Sequence, residues 1–424
     1  MPSNAIIPSS ASYAISDVNA VEEVDAFKPE YFEKYSTFSE QYVKVKDVGG
    51  GTDGLVTVYK HKRNAKALVA VKTPRHWTDF CIKAITNEVQ NLEIVGNHDH
   101  CLSMLASMQG FESNGNLVQA AIVSFCDWGH VNHYQGSYIT QQEKAGKPTG
   151  MPEVTVLKLL RDLSLGLDHL HNGLGISYVH GDLKTDNILV SDPVGYSGES
   201  MCLEPVFKIA DFARLKPYPA REGERPHHFP GTRTFAPPKA ENYVLRPPAD
   251  IWCLGATIQQ FALNVCPLES IPYLEKRMGM VGRDHHPQFL EEQRVMYRPL
   301  HESAEVLRQS WGVQGKDFKR LERHKSYSRF LNVWYKQLFE TRQEQRITAV
   351  QLVKFAIPMI DMQMPIARRL ALAEDCFEKA ARLRAQDAAR RDGQDNFTIQ
   401  SKLRSVAYGC GYTDSPDGIV AINA

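Results

Sequence analysis

The stretch Tyr178–Val190, which reads YVHGDLKTDNILV, holds the residues whose chemistry is easiest to interpret. Apolar residues flank a polar centre that contains Asp182, Lys184 and Asn187. A buried loop with these charges needs partners or a ligand, because removing an unpaired charge from water is costly. A carboxylate can accept a hydroxyl proton, an ammonium can offset charge on a transferring phosphoryl group, and an amide oxygen can bind a metal. These residue types together indicate a site for a magnesium-bound phosphate compound.

A second carboxylate follows a short strand-like run at Phe207–Leu215, which reads FKIADFARL. We expect Asp211 in this run to join Asn187 as an oxygen ligand of Mg²⁺, since hard cations prefer such ligands. We expect Asp182 to accept the proton of a hydroxyl group, and Lys184 to act on the transferring phosphoryl group.

These two stretches resemble the catalytic elements of the protein kinases. The first resembles the catalytic loop His-x-Asp-Leu-Lys-x-x-Asn, and Asp-Phe-Ala at Asp211–Ala213 resembles the Asp-Phe-Gly element. A chance loop in an unrelated fold is the alternative. Further elements that resemble kinase motifs follow in the expected order over about Tyr42–Ile360, which argues against chance.

A glycine-rich turn lies between two predicted strands near the start of the resemblance. Small residues let backbone N–H groups approach phosphates closely, although such a turn alone is also typical of a plain hairpin. The strand Leu68–Lys72 follows and places one lysine among apolar residues. The resemblance implies that Lys72 contacts the phosphates of ATP, with Val56 and Ala70 against the adenine. The turn residues assigned to ATP are Gly49, Gly50, Gly51, Thr52, Asp53 and Gly54.

The segment Phe80–Val95 has apolar residues at helical spacing and is predicted to be a helix. Glu88 stands in the place of the kinase glutamate that pairs with Lys72. A solvated helix charge is the alternative for Glu88, and Glu93 is a less favoured partner of the lysine. The following His98–Cys101 cluster is interpreted as a polar turn rather than a metal site, because no second ligand pair has matching spacing.

The apolar run Leu117–Cys126 resembles the strand and hinge between the kinase lobes. The resemblance implies that Val123 lines the adenine pocket and that Ser124 and Cys126 offer backbone groups to the base. Further along, Val154–Leu170 is predicted to be a long helix, and Gly136–Gly150 a polar connection before it.

The second half of the resemblance contains three more elements. Gly231–Lys239 resembles the end of the activation segment, and Asp250–Gly255 resembles the helix whose aspartate holds the catalytic-loop backbone. An ordinary helix cap is also compatible with Asp250. Arg346 resembles the arginine that closes the kinase fold. Between the two catalytic stretches, Asp192–Pro205 is interpreted as a surface insertion.

Three positions depart from the family pattern: Gly181 precedes the catalytic aspartate in place of arginine, Ala213 replaces the glycine of Asp-Phe-Gly, and Lys239 replaces the glutamate of Ala-Pro-Glu. We expect Ala213 to restrict the movement of Phe212, since alanine is disfavoured at positive φ.

Lys239 cannot pair with Arg346, because both are cations. We therefore expect Glu241 or Glu344 to be the partner of Arg346. Without arginine at position 181, activity is not expected to depend on phosphorylation of the activation segment.

The composition excludes several classes of protein. The chain has 424 residues, 43% of them apolar, and 49 basic residues balance 49 acidic ones. The net charge is zero, so charge does not favour nucleic acid or a membrane as partner. The eight scattered cysteines and the lack of a secretory signal or a spanning apolar run favour an intracellular location, cytoplasmic or nuclear, with reduced thiols.

The sequence therefore predicts an α+β, two-lobed protein kinase-like fold with a small β-rich N-lobe and a larger helical C-lobe. The predicted function is transfer of the ATP γ-phosphoryl group to serine or threonine hydroxyls of proteins, with Mg²⁺. Lys184, two residues after Asp182, resembles the serine/threonine class of kinases. A pseudokinase acting as an interaction module, with or without nucleotide, is the main alternative, and a small-molecule kinase is a weaker one. The oligomeric state stays open. The predicted domains are a partly disordered extension at 1–41, the N-lobe and hinge at 42–127, the C-lobe at 128–365, and a helix and tail at 366–424. The C-terminal helix carries an apolar stripe that is predicted to pack on the same protein, at Ile366, Leu370, Ala373, Phe377 and Ala380.

Overall fold

The computed structural model describes residues 35–50, 54–111, 117–198, 201–279, 293–311, 313, 319–321 and 324–391, without side chains at 65, 111 and 375–391. The turn residues Gly51, Thr52 and Asp53, and residues 1–34 of the predicted extension, lie outside these ranges. The chain divides into two compact units, Met1–Glu93 with Met104–Phe125, and Ile94–Ser103 with Cys126–Ala424.

The first unit is built on a five-stranded antiparallel sheet in the order β1-β2-β3-β5-β4. The face of α2 predicted to be apolar is buried, since Ile82, Ile85, Val89 and Leu92 are each at most 6% exposed. The elements are α1 Tyr35–Gln41, β1 Tyr42–Gly50, β2 Gly54–His61, β3 Asn64–Pro74, α2 Asp79–Val95, β4 Met104–Phe111 and β5 Leu117–Ser124.

The second unit is mostly helical and carries two short ribbons, β6 with β9 and β7 with β8. Helices α4 and α5 form its centre, because most residues of each are buried. The elements are α3 Val131–Lys144, α4 Glu153–Asp168, β6 Ser177–Val179, β7 Ile188–Ser191, β8 Val206–Ile209, β9 Lys216–Tyr218, α5 Pro247–Leu263, α6 Ile271–Met278, α7 Ala304–Trp311, α8 Arg329–Gln337, α9 Ala349–Gln351 and α10 Ile357–Arg391.

The predicted polar connection at Gly136–Gly150 is wrong in its first half, where α3 extends to Lys144. The helix forms because Tyr134 and Gln135 are buried, and because the His130 side chain caps its amino end. The Gln135 amide donates to the Phe261 carbonyl oxygen at 2.7 Å. These tertiary contacts outweigh the low helix propensity of the glycine at position 136.

The C-terminal helix begins at Ile357, earlier than predicted, and contains Pro365 in its interior. The predicted packing stripe is also wrong where side chains are described. Ile366 and Leu370 are 44% and 60% exposed, whereas Ile360, Met364 and Ala367 are at most 7% exposed.

Two ion pairs fix the rotation of α10 about its axis. Asp361 accepts from Arg161 of α4 at 2.7 Å, and Arg368 pairs with Glu204. Both charged pairs lie beside the buried face, which contains Ala367, one position after Ile366 of the predicted stripe.

The segment predicted as a surface insertion, Asp192–Pro205, is anchored to the helices beside it where it is described. The Tyr134 hydroxyl donates to the Cys202 carbonyl oxygen at 2.5 Å, and the Thr155 hydroxyl donates to that of Leu203 at 2.6 Å. Within the ranges given above, no helix combines the length and apolarity needed to cross a membrane.

Candidate active site

The first unit contains the predicted lysine–glutamate pair. The Lys72 Nζ lies 2.6 Å from a carboxylate oxygen of Glu88, and the glutamate side chain is 3% exposed. Glu93, the alternative partner, is exposed. A buried carboxylate on α2 therefore holds the lysine ammonium at a fixed place on β3, where a phosphate-bearing ligand could be bound.

Two glycines of the predicted phosphate turn allow close backbone packing. A Cβ on Gly50 would lie 2.5 Å from the Gly54 carbonyl oxygen. A Cβ on Gly54 would lie 2.9 Å from Lys72 Cε, so glycine there gives the lysine room. Gly49 has φ +98°, which favours glycine. Contact of these residues with ATP remains a prediction.

The predicted adenine-contacting residues of the first unit lie on adjacent strands. Ala70 of β3 pairs directly with Val123 of β5, and β2 brings Val56 opposite Lys72. Strand β5 ends at Ser124, and the Cys126 carbonyl oxygen, in the second unit, accepts from the Gly129 amide at 3.1 Å. The proposed roles of Ser124 and Cys126 toward the base remain predictions.

The backbone of the catalytic loop is held by Asp250 from the first turn of α5. Its carboxylate accepts from the His180 amide at 2.8 Å, from the Gly181 amide at 2.9 Å, and contacts His171 Nε2 at 2.9 Å. Asp250 is fully buried. The predicted contact between Asp250 and the catalytic-loop backbone is therefore present.

Five donor atoms surround the carboxylate of Asp182, which is 4% exposed, and one of them is Asn187 Nδ2 at 3.5 Å. One oxygen accepts from the backbone amide and the hydroxyl of Thr232, each at 2.7 Å. The other lies 3.0 Å from Arg214 Nη1 and 3.3 Å from Lys184 Nζ. Lys184 also donates to the Thr232 hydroxyl at 2.8 Å, so lysine, threonine and aspartate form one hydrogen-bonded chain.

The sequence motifs did not indicate Thr232 and Arg214 as neighbours of Asp182. One signal was available in the glycines at 181 and 231. A Cβ on Gly231 would lie 2.3 Å from the Gly181 carbonyl oxygen, so glycine permits the backbones to touch directly before Thr232.

The two predicted metal ligands, Asn187 and Asp211, lie next to the same end of the β7–β8 ribbon. Asn187 immediately precedes β7, whose Ile188 pairs with Ile209 of β8, and the Ala210 amide donates to the Asn187 carbonyl at 2.9 Å. The Asn187 side-chain amide donates to the Asp182 carbonyl at 2.8 Å, which leaves its side-chain oxygen as an acceptor. One amide oxygen and the Asp211 carboxylate fit Mg²⁺, which commonly takes one or two protein ligands together with phosphates and waters.

Ala213 has no positive φ in this conformation. Ala213 lies within a 3₁₀ turn, Phe212–Arg214, and the positive φ of 64° belongs to Asp211 before it. The expected restriction on Phe212 therefore concerns only a conformation other than this one.

Arg346 pairs with Glu241, which was one of its two expected partners. Both guanidinium Nη atoms donate to the carboxylate, at 2.9 and 2.5 Å, and the arginine is 2% exposed. The pair joins the end of the activation segment to the loop before α9, even though Lys239 replaces the family's glutamate.

The His98–Cys101 cluster is a turn, as expected. The His100 amide donates to His98 Nδ1 at 3.2 Å, and the His98 ring stacks on His169 at 4.4 Å. The part of the chain that the structure describes contains no group of three or more His, Cys, Asp or Glu side chains placed to hold a metal ion.

Comparison with known families matches residues 42–356 to the protein kinase domain. The chain belongs to the protein kinase family. The match includes strand β3, which carries Lys72, and the loop that carries Asp182. The Lys72–Glu88 pair and the surroundings of Asp182 therefore both lie within the family's domain.

Three curated kinases illustrate the similarity. The mitosis inhibitor protein kinase wee1 of Schizosaccharomyces pombe is 27% identical over 43% of this chain. The serine/threonine-protein kinase GRIK2 of Arabidopsis thaliana is 25% identical over 54%, and mitogen-activated protein kinase kinase kinase 18 of the same plant is 36% identical over 31%. The matched segments span 17%, 52% and 34% of those relatives' own lengths.

Proposed function

We propose that this protein transfers the γ-phosphoryl group of Mg-ATP to serine or threonine hydroxyls of protein substrates. The observation that carries the proposal is the hydrogen-bonded chain from Lys184 through Thr232 to the buried carboxylate of Asp182. Such a carboxylate is suited to orient a substrate hydroxyl and accept its proton.

The other half of the reaction is assigned to the nucleotide. The Lys72–Glu88 ion pair supports a lysine held in place for the phosphates of ATP. Asn187 and Asp211 would hold Mg²⁺, which neutralises charge on the phosphates. Lys184 would offset the negative charge on the transferred group.

The choice of serine or threonine as acceptor rests on Lys184, because the loop reading Asp-Leu-Lys resembles the serine/threonine class. Two similar proteins, GRIK2 and GRIK1 of Arabidopsis thaliana, are serine/threonine-protein kinases by name. Protein substrates and an intracellular location, cytoplasmic or nuclear, belong to the same proposal.

One observation favours a pseudokinase as the second candidate. Arg214 forms an ion pair with Asp182 and also donates to the Pro230 carbonyl oxygen at 3.0 Å. A guanidinium on the proton-accepting carboxylate competes with a substrate hydroxyl for the same oxygen. A protein that binds nucleotide and never transfers phosphate would tolerate this arrangement.

The test is a phosphoryl-transfer assay with labelled ATP, magnesium and generic protein substrates, followed by phosphoamino-acid analysis. We expect label on serine and threonine, and a loss of roughly 10²–10⁴-fold in rate for Asp182→Ala. The exposed Glu222→Gln is the matched control and should leave the rate unchanged. Label on tyrosine alone would contradict the acceptor class, and an unchanged rate in Asp182→Ala would contradict its role.

Nucleotide binding is measured separately by the melting temperature. Saturation at a hundred times the dissociation constant stabilises the folded state by about 2.7 kcal/mol. We expect Mg-ATP to raise the melting temperature, with a smaller rise for Asp211→Asn. A rise without phosphoryl transfer would favour the pseudokinase, and no rise at millimolar Mg-ATP would contradict the ATP site.

A further inference from the structure

A cavity of about 420 Å³ lies in the second unit, away from the catalytic aspartate. Its walls come from the amino end of α5, the π-helical turn after α4, the β6–β9 ribbon and the loop before α9. This volume falls within the range of small-molecule sites in proteins, which is roughly 300–1,000 Å³. None of the residues assigned to ATP or Mg²⁺ lines it.

Three side chains that line the cavity have a buried polar atom without a hydrogen-bond partner among the residues that the structure describes. These atoms are Arg246 Nε, Ser177 Oγ and Gln343 Oε1. Buried polar groups are normally hydrogen-bonded, because losing water without a new partner is unfavourable. Three such atoms belong to residues that line this cavity, which favours a ligand with a polar group.

The cavity also has a distinct charge pattern. Among the residues that the structure describes, no carboxylate forms an ion pair with Arg246, and arginine is a cationic side chain in proteins. Glu344 is the carboxylate in the lining, and it is exposed to solvent. The apolar part of the lining includes Pro247, Pro248, Ile251 and Val350.

We propose that this cavity binds an apolar carboxylic acid, whose carboxylate pairs with Arg246 and accepts from Ser177, and whose apolar body packs on the proline-rich wall. Guanidinium and carboxylate groups match in geometry and form strong charge-assisted hydrogen bonds. The shared chemistry has two sources, a free small acid or the C-terminal residue of a peptide.

Occupancy reaches the catalytic loop through His171, which also lines the cavity. His171 contacts Asp250, and Asp250 accepts from the His180 and Gly181 amides directly before Asp182. A ligand that restricts His171 favours the arrangement in which Asp250 holds this backbone. The site is therefore regulatory, and its binding is measurable without phosphoryl transfer.

The binding test uses the full chain with 4-phenylbutyrate as probe and the neutral 4-phenylbutanamide as its uncharged counterpart, followed by calorimetry. We expect the acid to bind at least tenfold more tightly than the amide. Arg246→Met should abolish that preference and Arg246→Lys should keep part of it. The exposed Arg225→Met is the matched control and should bind as the wild type. Equal affinity for acid and amide, or unaltered binding by Arg246→Met, would overturn the proposal.

A second variant guards against misfolding of Arg246→Met. Val350 is 48% exposed at the cavity wall, so Val350→Trp should fold normally and block the cavity. Retained 4-phenylbutyrate binding in that variant would place the probe elsewhere and overturn the assignment. An acetylated Gly-Gly-Phe peptide with a free carboxylate distinguishes the two sources. Tighter binding than 4-phenylbutyrate supports a peptide C-terminus, and weaker binding supports a free acid.

Hydrogen–deuterium exchange tests the coupling to the catalytic loop. We expect 4-phenylbutyrate to slow exchange of the amides at 180 and 181 in the wild type and to leave it unchanged in Arg246→Met. Unchanged exchange in the wild type at saturating probe would overturn the regulatory part. This readout does not depend on kinase activity, so it separates failure of this proposal from failure of the proposed function.

Discussion

At the scale of single residues, Thr232 contacts both Asp182 and Lys184, the side chains proposed to act on the substrate hydroxyl and the phosphoryl group. Its hydroxyl donates to Asp182 and accepts from Lys184, while its amide donates to the same carboxylate oxygen. A hydrogen bond to a charged group contributes about 1.5–3 kcal/mol. The hydroxyl thus helps to fix both side chains relative to each other.

We predict that Thr232→Val lowers the rate of phosphoryl transfer roughly 10–150-fold, because the hydroxyl is lost while the shape is kept. Thr232→Ser should restore most of the rate. The melting-temperature rise with Mg-ATP should be the same in all three proteins. Equal rates for the valine and serine variants would show that the hydroxyl has no such role.

Gly181 is a second residue with a specific backbone requirement. It has φ +76°, and an added Cβ would lie 3.1 Å from Pro230 Cγ. We predict that Gly181→Ala lowers the free energy of unfolding by about 1–2 kcal/mol, since alanine is strained at positive φ. Urea denaturation measures this change.

The control for that measurement is Gly136→Ala. Gly136 lies in α3 with nothing within 4 Å of an added Cβ, so alanine there should stabilise by about 0.5–1 kcal/mol. If both variants changed stability in the same direction, the conformational argument for Gly181 would be wrong.

At the scale of elements, α10 has apolar residues on more than one face, and only one of these faces is buried. Ile360 is fully buried and Met362 is 68% exposed, because residues two positions apart lie on opposite sides of a helix. We predict that Ile360→Ala costs about 2–5 kcal/mol of stability, because it leaves a cavity in the core. Met362→Ala should change stability by less than about 0.5 kcal/mol. Comparable losses in thermal or urea denaturation would contradict the observed rotation of the helix.

The activation segment is held by contacts that need no phosphate. Arg214 joins Asp182 to the Pro230 carbonyl oxygen, and Thr232 binds Asp182 directly. We predict that phosphatase treatment leaves phosphoryl transfer unchanged, and mass spectrometry of the peptide 212–234 checks the modification state. A rate that falls together with phosphate at Tyr218, Thr232 or Thr234 would overturn this prediction.

At the scale of the whole molecule, we expect acid stability to depend on the half-buried His98. Burial, with smaller contributions from His169 and His100, lowers the pKa of His98 to about 4. The folded protein therefore binds fewer protons there than the unfolded chain, whose histidine pKa is about 6.5. The stabilising contribution is complete above pH 6.5 and is lost as the pH falls toward 4.

We predict that His98→Gln reduces the loss of stability between pH 7 and pH 4.5, because the group that titrates in this window is removed. The exposed His228→Gln is the matched control and should follow the wild type. Urea midpoints recorded across this range provide the measurement. Parallel curves for the wild type and His98→Gln would show that His98 does not contribute.

Much of the candidate site was predictable from the sequence, because residue type restricts which groups can pair. Lys72 and Glu88 stand in the places of the kinase lysine and glutamate, so the resemblance predicted their ion pair, which the structure contains. Charge also indicated that Lys239 could not pair with Arg346, and Arg346 pairs with Glu241 in the structure. The order of these motifs along the chain predicted the protein kinase fold.

Other features were decided only by the tertiary structure. Arg214 and Thr232 lie 32 and 50 positions from Asp182, and no local pattern specifies contacts at such separations. The buried face of α10 was also undetermined, because apolar residues occur on both sides of that helix and only its partner surface and ion pairs select one. The sequence by itself therefore determined which chemical groups are present and which charges must pair. Long-range packing decided which of those groups meet, because it sums many contacts between segments that are distant in the chain.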